Sequence, residues 1–269
     1  MASFTGSSIK DVYKDILHTS NGNTGLSTTI KQITCGDGDT SALYLSNRNL
    51  KVQPSADSTT NTVIYDASGN ALLTVDSTND LIKAGIGQHT VNTQYAHFGI
   101  GSKHDSDDNS FWAGASADNH YAVPFNGYAN GALVNLGTDT LDPDTSLTIS
   151  TTADDVTCCL WYVMDNITID RVVWWSGADT STDSDITRAH LMSYSIDSGN
   201  GSTGGDLSSG VVVAYGGDIT NAGHEQAYYQ QLSIGTANVD AGKAIFFTFR
   251  ADTVQSDFSI NATVKYHLR

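Results

Sequence analysis

The sequence predicts an all-β protein, and three observations support this prediction. Glu225 is the only glutamate among 29 acidic residues, and aspartate favours turns whereas glutamate favours helices. Asp57, Asp66 and Asp76 begin successive polar breaks, with room for a strand of about five residues between them. Residues 258–268 alternate apolar and polar side chains, which is the pattern of a half-buried strand.

One segment near the N-terminus, residues 8–17, has a helical pattern. Five apolar residues recur at helical spacing and would share one face: Ile9, Val12, Tyr13, Ile16 and Leu17. A helix of about ten residues is too short to be stable alone. This face therefore needs a partner in the same domain, in a copy of the chain or on a docking surface. We assign residues 1–20 to an N-terminal helical anchor.

Residues 21–88 alternate short β-prone runs with Gly, Asn and Asp breaks. Gly69 and Asn70 fit the positive-φ positions of a tight turn. Strands of about five residues are only about 15 Å long, and a narrow sheet of such strands is marginal as a monomer. Identical copies around an axis would cover one another's apolar faces, so we expect a thin, homotrimeric β-stem. The alternative is an N-terminal subdomain of an ordinary monomer.

Residues 89–120 are polar and rich in glycine, and we expect a linker with a short packed insertion. Residues 121–269 show a strong β pattern, with roughly eight strands and several long loops between them. This combination favours a two-sheet sandwich of the jelly-roll type as a C-terminal head.

Simple alternation assigns the faces of these strands. On residues 167–175 it places four side chains together: Ile167, Ile169, Val173 and Trp175. On the last strand it places six together: Phe258, Ile260, Ala262, Val264, Tyr266 and Leu268.

Cys158 and Cys159 would lie on a strand and point to opposite faces, so we expect them, like Cys35, to be reduced.

No motif typical of catalysis or of metal binding is present. There is no GxSxG, HExxH or Walker pattern, and His224 and Glu225 lack an accompanying nucleophile or second carboxylate. The Asp-rich stretches at residues 104–109 and 176–185 lack the Gly and terminal Glu of an EF-hand loop. We therefore expect neither enzymatic activity nor a cofactor or metal ion.

The net charge of −16 would repel nucleic acid, and no apolar run reaches the length of about 18 residues that a membrane helix needs.

Adjacent pairs of aromatic residues lie on the predicted strands, so one ring of each pair would point into the core and the other outward. Five of them are candidate surface, receptor or interface residues: Trp161, Trp174, Trp175, Tyr228 and Tyr229. Exposed rings can stack on sugars while nearby Asp and Asn bind the hydroxyl groups. Burial at a subunit interface explains the same rings.

The order of these parts resembles that of fibre-like structural proteins of tailed bacteriophages, especially marine ones. The shared features are a short helix (residues 8–17), an Asn-Thr-Gly stretch (23–25), the segment GDGDTSALYLS (36–46) and the strand–turn unit DASGN (66–70). The segments HYAVPFNGYANGALV (120–134) and FSINATVKYHL (258–268) resemble the β-sandwich heads at the ends of such proteins.

The resemblance implies a virion component, made in the host cytoplasm, that is trimeric and exposed on the particle as a fibre or decoration protein of tail or capsid. Its N-terminus would contact other virion proteins, and a host-surface glycan is a candidate contact of the head. No catalytic residues follow from the resemblance. The alternative function is a carbohydrate-binding module of a secreted or surface protein, which would be a monomer.

Overall fold

The computed structural model describes residues 16–19, 24–100, 120–126, 136, 143–148, 153–179, 186–220, 226–251 and 257–269. The predicted N-terminal helix lies mostly outside these residues, as do Ile9, Val12 and Tyr13. Ile16 is half-buried, Leu17 is exposed, and both lie in irregular chain just before the first strand.

The chain divides into two compact units, an N-terminal unit of residues 1–91 and a C-terminal unit of residues 92–269. Both consist of antiparallel sheets, which confirms the all-β prediction. The second unit includes residues that were predicted to be linker, because residues 93–100 form a strand.

Two four-stranded meanders make up the described part of the N-terminal unit. The first contains β1 (His18–Thr19), β2 (Lys31–Thr34), β3 (Thr40–Leu45) and β4 (Leu50–Val52). The second contains β5 (Thr62–Tyr65), β6 (Ala71–Asp76), β7 (Leu81–Ala84) and β8 (His89–Thr90). Each strand pairs with the next one along the chain, and antiparallel neighbours of this kind need no long crossover connection.

The turn between β5 and β6 shows how aspartate produces this pattern. The Asp66 carboxylate accepts hydrogen bonds from the backbone N–H groups of Ser68 (2.9 Å) and Asn70 (2.8 Å). Gly69 has a φ of 82°, which glycine adopts without strain. The predicted positive φ is therefore correct for Gly69, but not for Asn70, whose side chain instead donates to Asp66 at 2.9 Å.

The C-terminal unit has two larger sheets and one described helix. The five-stranded sheet contains β9 (Thr93–Ile100), β12 (Ile167–Asp179), β16 (Gln226–Gln231), β18 (Asn238–Val239) and β20 (Asp257–Leu268). The seven-stranded sheet contains β10 (His120–Val123), β11 (Trp161–Tyr162), β13 (Ile186–Ile196), β14 (Leu207–Tyr215), β15 (Ile219–Thr220), β17 (Ser233–Ile234) and β19 (Lys243–Ala251). The helix is α1 (Ala153–Cys159).

The main core lies between these two sheets, in a β-sandwich-like arrangement. Phe98 of β9, Trp174 of β12 and Val264 of β20 meet Leu191 of β13 and Phe247 of β19 in one cluster of buried residues. A second cluster covers the other face of the seven-stranded sheet, where Phe246 and Tyr194 pack with Val156 and Cys159 of α1. Strand β19 thus buries side chains on both of its faces.

Helix α1 corrects the prediction of a strand at Cys158 and Cys159. The β-branched residues Val156 and Thr157, next to the two cysteines, resemble a strand, but tertiary contacts with the sheet override this local preference. The Sγ atoms of Cys158 and Cys159 lie 3.8 Å apart, and Cys35, Cys158 and Cys159 are all free thiols.

Strand β12 does not follow simple alternation. Its register with β20 shifts between Ile169 and Arg171, which marks a β-bulge. Ile167 and Ile169 are buried as predicted, but after the bulge Val172 and Trp174 face the core at 0% exposure. The predicted placement of Val173 and Trp175 on the same face as Ile167 is therefore wrong, since one extra residue reverses the phase.

Strand β20 keeps one phase throughout its described side chains. Ile260, Ala262 and Val264 are buried, and Tyr266 and Leu268 are half-buried at the edge of the same core. The predicted alternation of this strand is confirmed for these residues. Strand β20 lies between β12 and β9, so the two ends of the C-terminal unit pair directly.

Candidate functional site

The outer face of the five-stranded sheet carries a pair of exposed aromatic side chains in contact with each other. The strand register places Tyr229 of β16, Trp175 of β12, Asn261 of β20 and Gly99 of β9 side by side across the sheet. Trp175 is 51% exposed and Tyr229 is 47% exposed. The bulge in β12 is the reason that Trp175 points outward while Trp174 is buried.

Trp175 is held in place by its neighbours on this face. Its ring centroid lies 5.1 Å from that of Tyr229, with the rings tilted by 54°. The Tyr229 hydroxyl oxygen in turn accepts a hydrogen bond of 3.1 Å from Nη2 of Arg171. Aromatic pairs at this distance are attractive beyond their buried area, so Tyr229 and Arg171 restrict the orientation of Trp175.

The residues beside Trp175 are unusually small. Gly177 lies two residues further along β12 and pairs with Ala227 on one side and Ser259 on the other. An open, shallow depression of about 430 Å³ results. We call it the Trp175 trough and define it by these residues: Gly99, Trp175, Gly177, Ala227, Ser259 and Asn261.

Gly177 is needed for this shape. A Cβ atom at residue 177 would lie 2.5 Å from Oγ of Ser259, closer than such atoms approach without a shift. Any larger residue would push Ser259 aside and occupy the space next to the indole ring. The polar side chains at the trough, Ser259 and Asn261, are neutral, and none of the residues that line it is charged.

The other predicted aromatics lie elsewhere. Trp174 is fully buried between Phe247 and Phe249, and Trp161 is 8% exposed and stacks on Phe125 at a centroid distance of 6.0 Å. These two are core residues and leave the set of candidate surface residues. Tyr228 is half-buried and pairs with the buried Ser176 on the inner face. Of the five predicted residues, Trp175 and Tyr229 alone form the exposed pair.

A second candidate surface lies on the N-terminal unit. On the sheet of β5 to β8, five apolar residues share one face through the pairs 64–73, 73–84 and 75–82. We call it the N-terminal apolar face: Ile64, Leu73, Val75, Ile82 and Ala84. Ile64 is 52% exposed and Ile82 is 49% exposed, so this face is poorly covered by its own chain.

The opposite face of this sheet contains a charged network. Asp76 is 1% exposed and accepts a 2.8 Å hydrogen bond from Nζ of Lys83. Its carboxylate also accepts bonds from the backbone and side chain of Asn79. The Lys83 and Asn79 hydrogen bonds lower the pKa of Asp76 to about 2. The network satisfies a buried carboxylate, and nothing in it is arranged for acid–base chemistry.

No family model matches this chain, and no curated protein matches it.

The described residues also bear on metal ions and membranes. No group of three or more His, Cys, Asp and Glu side chains is arranged there to hold a metal ion. The helix that the structure describes, α1, has seven residues, and none of the described ranges contains a helix able to span a bilayer.

The sequence pattern singles out Trp175 and Tyr229 as candidates, but not the other residues of the trough. Gly99 lies in the stretch predicted to be a linker, and Gly177, Ser259 and Asn261 carry no local pattern that points to a site. Their proximity depends on pairing between strands about 80 and 160 residues apart, as from Gly177 to Ser259 and from Gly99 to Asn261. No local pattern signals such pairing.

Proposed function

We propose that this protein is a structural component of a tailed-bacteriophage virion, a homotrimeric fibre or decoration protein that projects from the tail or the capsid. Residues 1–20 act as the helical anchor to other virion proteins, the N-terminal unit forms a thin β-stem, and the C-terminal unit is a jelly-roll-like head. The head faces the host surface. The protein is not an enzyme and uses no cofactor.

One observation carries the proposal: the described part of the N-terminal unit has almost no hydrophobic core. Of the 33 buried hydrophobic residues in the described parts of the chain, only Ile33 belongs to it. In contrast, it holds 10 of the 17 large hydrophobic residues that are exposed there, including Leu50 at 67% and Ile86 at 74%. Each such side chain contributes about 1.5–3 kcal/mol when it is fully buried.

Copies of the same chain are the partner that fits these exposed residues. A sheet of short strands with one uncovered apolar face gains stability when an identical face packs against it, and closed symmetry satisfies all copies at once. Three heads on one stem would also present three equivalent sites to a surface, which raises the total affinity without a new contact. The phage-like order of the segments supports the same proposal.

The mass of the purified chain in solution tests the trimer. Light scattering should give about three times 28.6 kDa. The exposed residues of the N-terminal unit are buried only in the assembly, so this mass should persist on dilution. A stable, folded species of 28.6 kDa at all concentrations would contradict the proposal.

Attachment to the particle tests the virion assignment. Removal of residues 1–20 should abolish incorporation into phage particles, while the C-terminal unit stays folded because its core lies entirely within residues 92–269. Particles imaged with a label at the C-terminus should show it at the outer end of a projection. Incorporation of the truncated chain at the level of the full chain would show that the anchor lies elsewhere.

A carbohydrate-binding module is the second candidate function, and the Trp175 trough is the observation that favours it. This alternative predicts a monomer whose head alone carries the activity. The same mass measurement separates the two functions, since a module of this kind is expected to be a monomer of 28.6 kDa.

A further inference from the structure

We propose that the Trp175 trough binds a neutral sugar ring, which stacks on the indole of Trp175 and is held by hydrogen bonds from Asn261 and Ser259. This inference rests on the proposed function, because it names what the displayed head would bind at a cell surface. The proposal assigns a class of ligand to the trough, whose six defining residues lie on four strands of one sheet.

The first step of the argument is that the indole is already oriented for a ligand. Tyr229 lies 5.1 Å from Trp175 on the side of β16, and the Arg171 hydrogen bond fixes Tyr229. The half-buried Val173 adjoins it along the strand. Half of the Trp175 side chain is nevertheless exposed. A large aromatic surface that is held rigid and left open loses little entropy when a ligand binds.

The second step concerns the free space next to the ring. Toward the loop end of the sheet, the neighbours of Trp175 are Gly177, Ala227 and Ser259, none of which carries a large side chain. Across β20, the residue opposite Asn261 is Gly99. Small residues on three adjacent strands leave a depression of about 430 Å³ beside the indole, so a ring-shaped ligand has room to lie beside it.

The third step is chemical. An aromatic face is electron-rich and attracts the weakly positive C–H groups on one side of a sugar ring. The Asn261 amide offers two donors and an acceptor, and the Ser259 hydroxyl offers one donor and two acceptor positions, which match the dual character of sugar hydroxyls. No charged side chain lines the trough, and a net charge of −16 disfavours acidic ligands. A neutral sugar fits these properties.

A flat contact with another protein fits the face less well. A stable protein interface buries about 800 Å² on each partner and needs several exposed anchors close together. Tyr95, which shares the outer face with Arg171 and Lys265, lies four residues along the sheet from the Trp175 row, or about 13 Å. The trough has one large exposed side chain, Trp175, because Ile100 and Ile260, which also line it, are buried.

The test uses the full-length chain and three variants. Trp175→Ala removes the stacking surface, and Ala227→Leu fills the trough while it keeps the indole. Tyr215→Ala is the matched control, because Tyr215 is an aromatic residue of similar exposure (49%) on the seven-stranded sheet. Retardation in native gels that contain dextran, mannan, galactan or arabinoxylan reports binding of neutral polysaccharides, and alginate serves as the acidic comparison. Calorimetry with oligosaccharides of the retarding polymer then gives affinities.

We expect retardation by at least one neutral polymer and none by alginate. Trp175→Ala and Ala227→Leu should each weaken binding about 30-fold, the size typical of a dominant aromatic contact, and Tyr215→Ala should leave it unchanged. Absence of retardation by every neutral polymer, or equal binding by the wild type and Trp175→Ala, would overturn the inference.

The oligomeric mass of the same samples separates the two proposals. A trimer that binds no neutral sugar leaves the proposed function intact and refutes the trough. A monomer that binds sugar through Trp175 refutes the trimer and leaves the trough. Dissociation of the trimer by Trp175→Ala would show that this face is a contact between copies and would also refute the sugar site.

Discussion

Aspartate explains much of this chain at the scale of single residues. Asp66 and Asp197 each accept hydrogen bonds from nearby turn residues, chiefly Asn70 and Thr203 respectively, and these bonds lower the pKa of both carboxyls. The Asp76 carboxylate likewise accepts hydrogen bonds from Asn79, in the turn between β6 and β7, and from Lys83 of β7. The near-absence of glutamate follows, because its longer side chain fits such turns less well.

Asp76 should make the N-terminal unit sensitive to acid. Its pKa in the folded state is about 2, below the usual value, so its contribution to the free energy of unfolding is complete above the usual pKa and is lost as the pH falls toward 2. We expect Asp76→Asn to be less stable than the wild type at pH 7 and nearly equal to it at pH 2. Denaturant unfolding followed by circular dichroism at each pH measures this difference.

Asp57→Asn is the control for this experiment, since Asp57 is an exposed aspartate of the same unit. It should show little difference from the wild type at either pH. A destabilisation by Asp76→Asn that is the same at pH 2 and pH 7 would mean that the carboxylate charge is not what matters.

At the scale of elements, β12 shows where local patterns mislead. Up to Ile169 its alternation follows the sequence pattern, and the bulge before Arg171 reverses it. The bulge matters for the proposed sugar site, because it turns Trp175 rather than Trp174 toward solvent. Strand β20 has no such irregularity in its own pattern, so its buried face was predictable from the chain alone.

A pair of substitutions tests the phase of β12. Val172 is 0% exposed, whereas Val173 is half-buried on the outer face. Val172→Asp buries a charge in the core and should destabilise the C-terminal unit by more than about 4 kcal/mol, and Val173→Asp by about 1 kcal/mol. Thermal unfolding of the two variants compares them. If Val173→Asp destabilised the unit more than Val172→Asp, strand β12 would follow simple alternation and would have no bulge.

At the scale of the whole molecule, the two units differ in how many hydrophobic side chains they bury. The C-terminal unit buries both faces of its interior strand β19 and has two core clusters. The N-terminal unit consists of strands of two to six residues in its described part, with Ile33 as its one buried hydrophobic residue there. The proposed trimer would bury the apolar side chains of the N-terminal unit, as tertiary packing buries those of the C-terminal unit.

Two substitutions on opposite faces of one sheet test which surface the copies share. Ile82 lies on the N-terminal apolar face and Leu72 on the other, and both are exposed, at 49% and 43%. Ile82→Asp would place a charge in the shared contact and should dissociate the trimer, while Leu72→Asp should leave it intact. Light scattering across a dilution series measures both. A trimer that tolerates Ile82→Asp and is lost with Leu72→Asp would place the contact on the opposite face.

The sequence alone determined the features that depend on neighbours along the chain. The all-β class follows from turn chemistry and from period-two alternation, and the buried face of β20, from Ile260 to Val264, follows from the same alternation. The Asp66 turn follows from one carboxylate within reach of the next few N–H groups. These features are local, so a local pattern is sufficient to predict them.

Only the tertiary structure decided the features that depend on distant partners. Helix α1 forms where Val156 and Cys159 pack on the seven-stranded sheet, against their local preference. Strand β9 pairs with β20, although more than 150 residues separate them. The trough beside Trp175 exists because three strands bring Gly177, Ala227 and Ser259 together. The free energy of such contacts comes from burial against segments far away in the chain, and no stretch of sequence carries that information by itself.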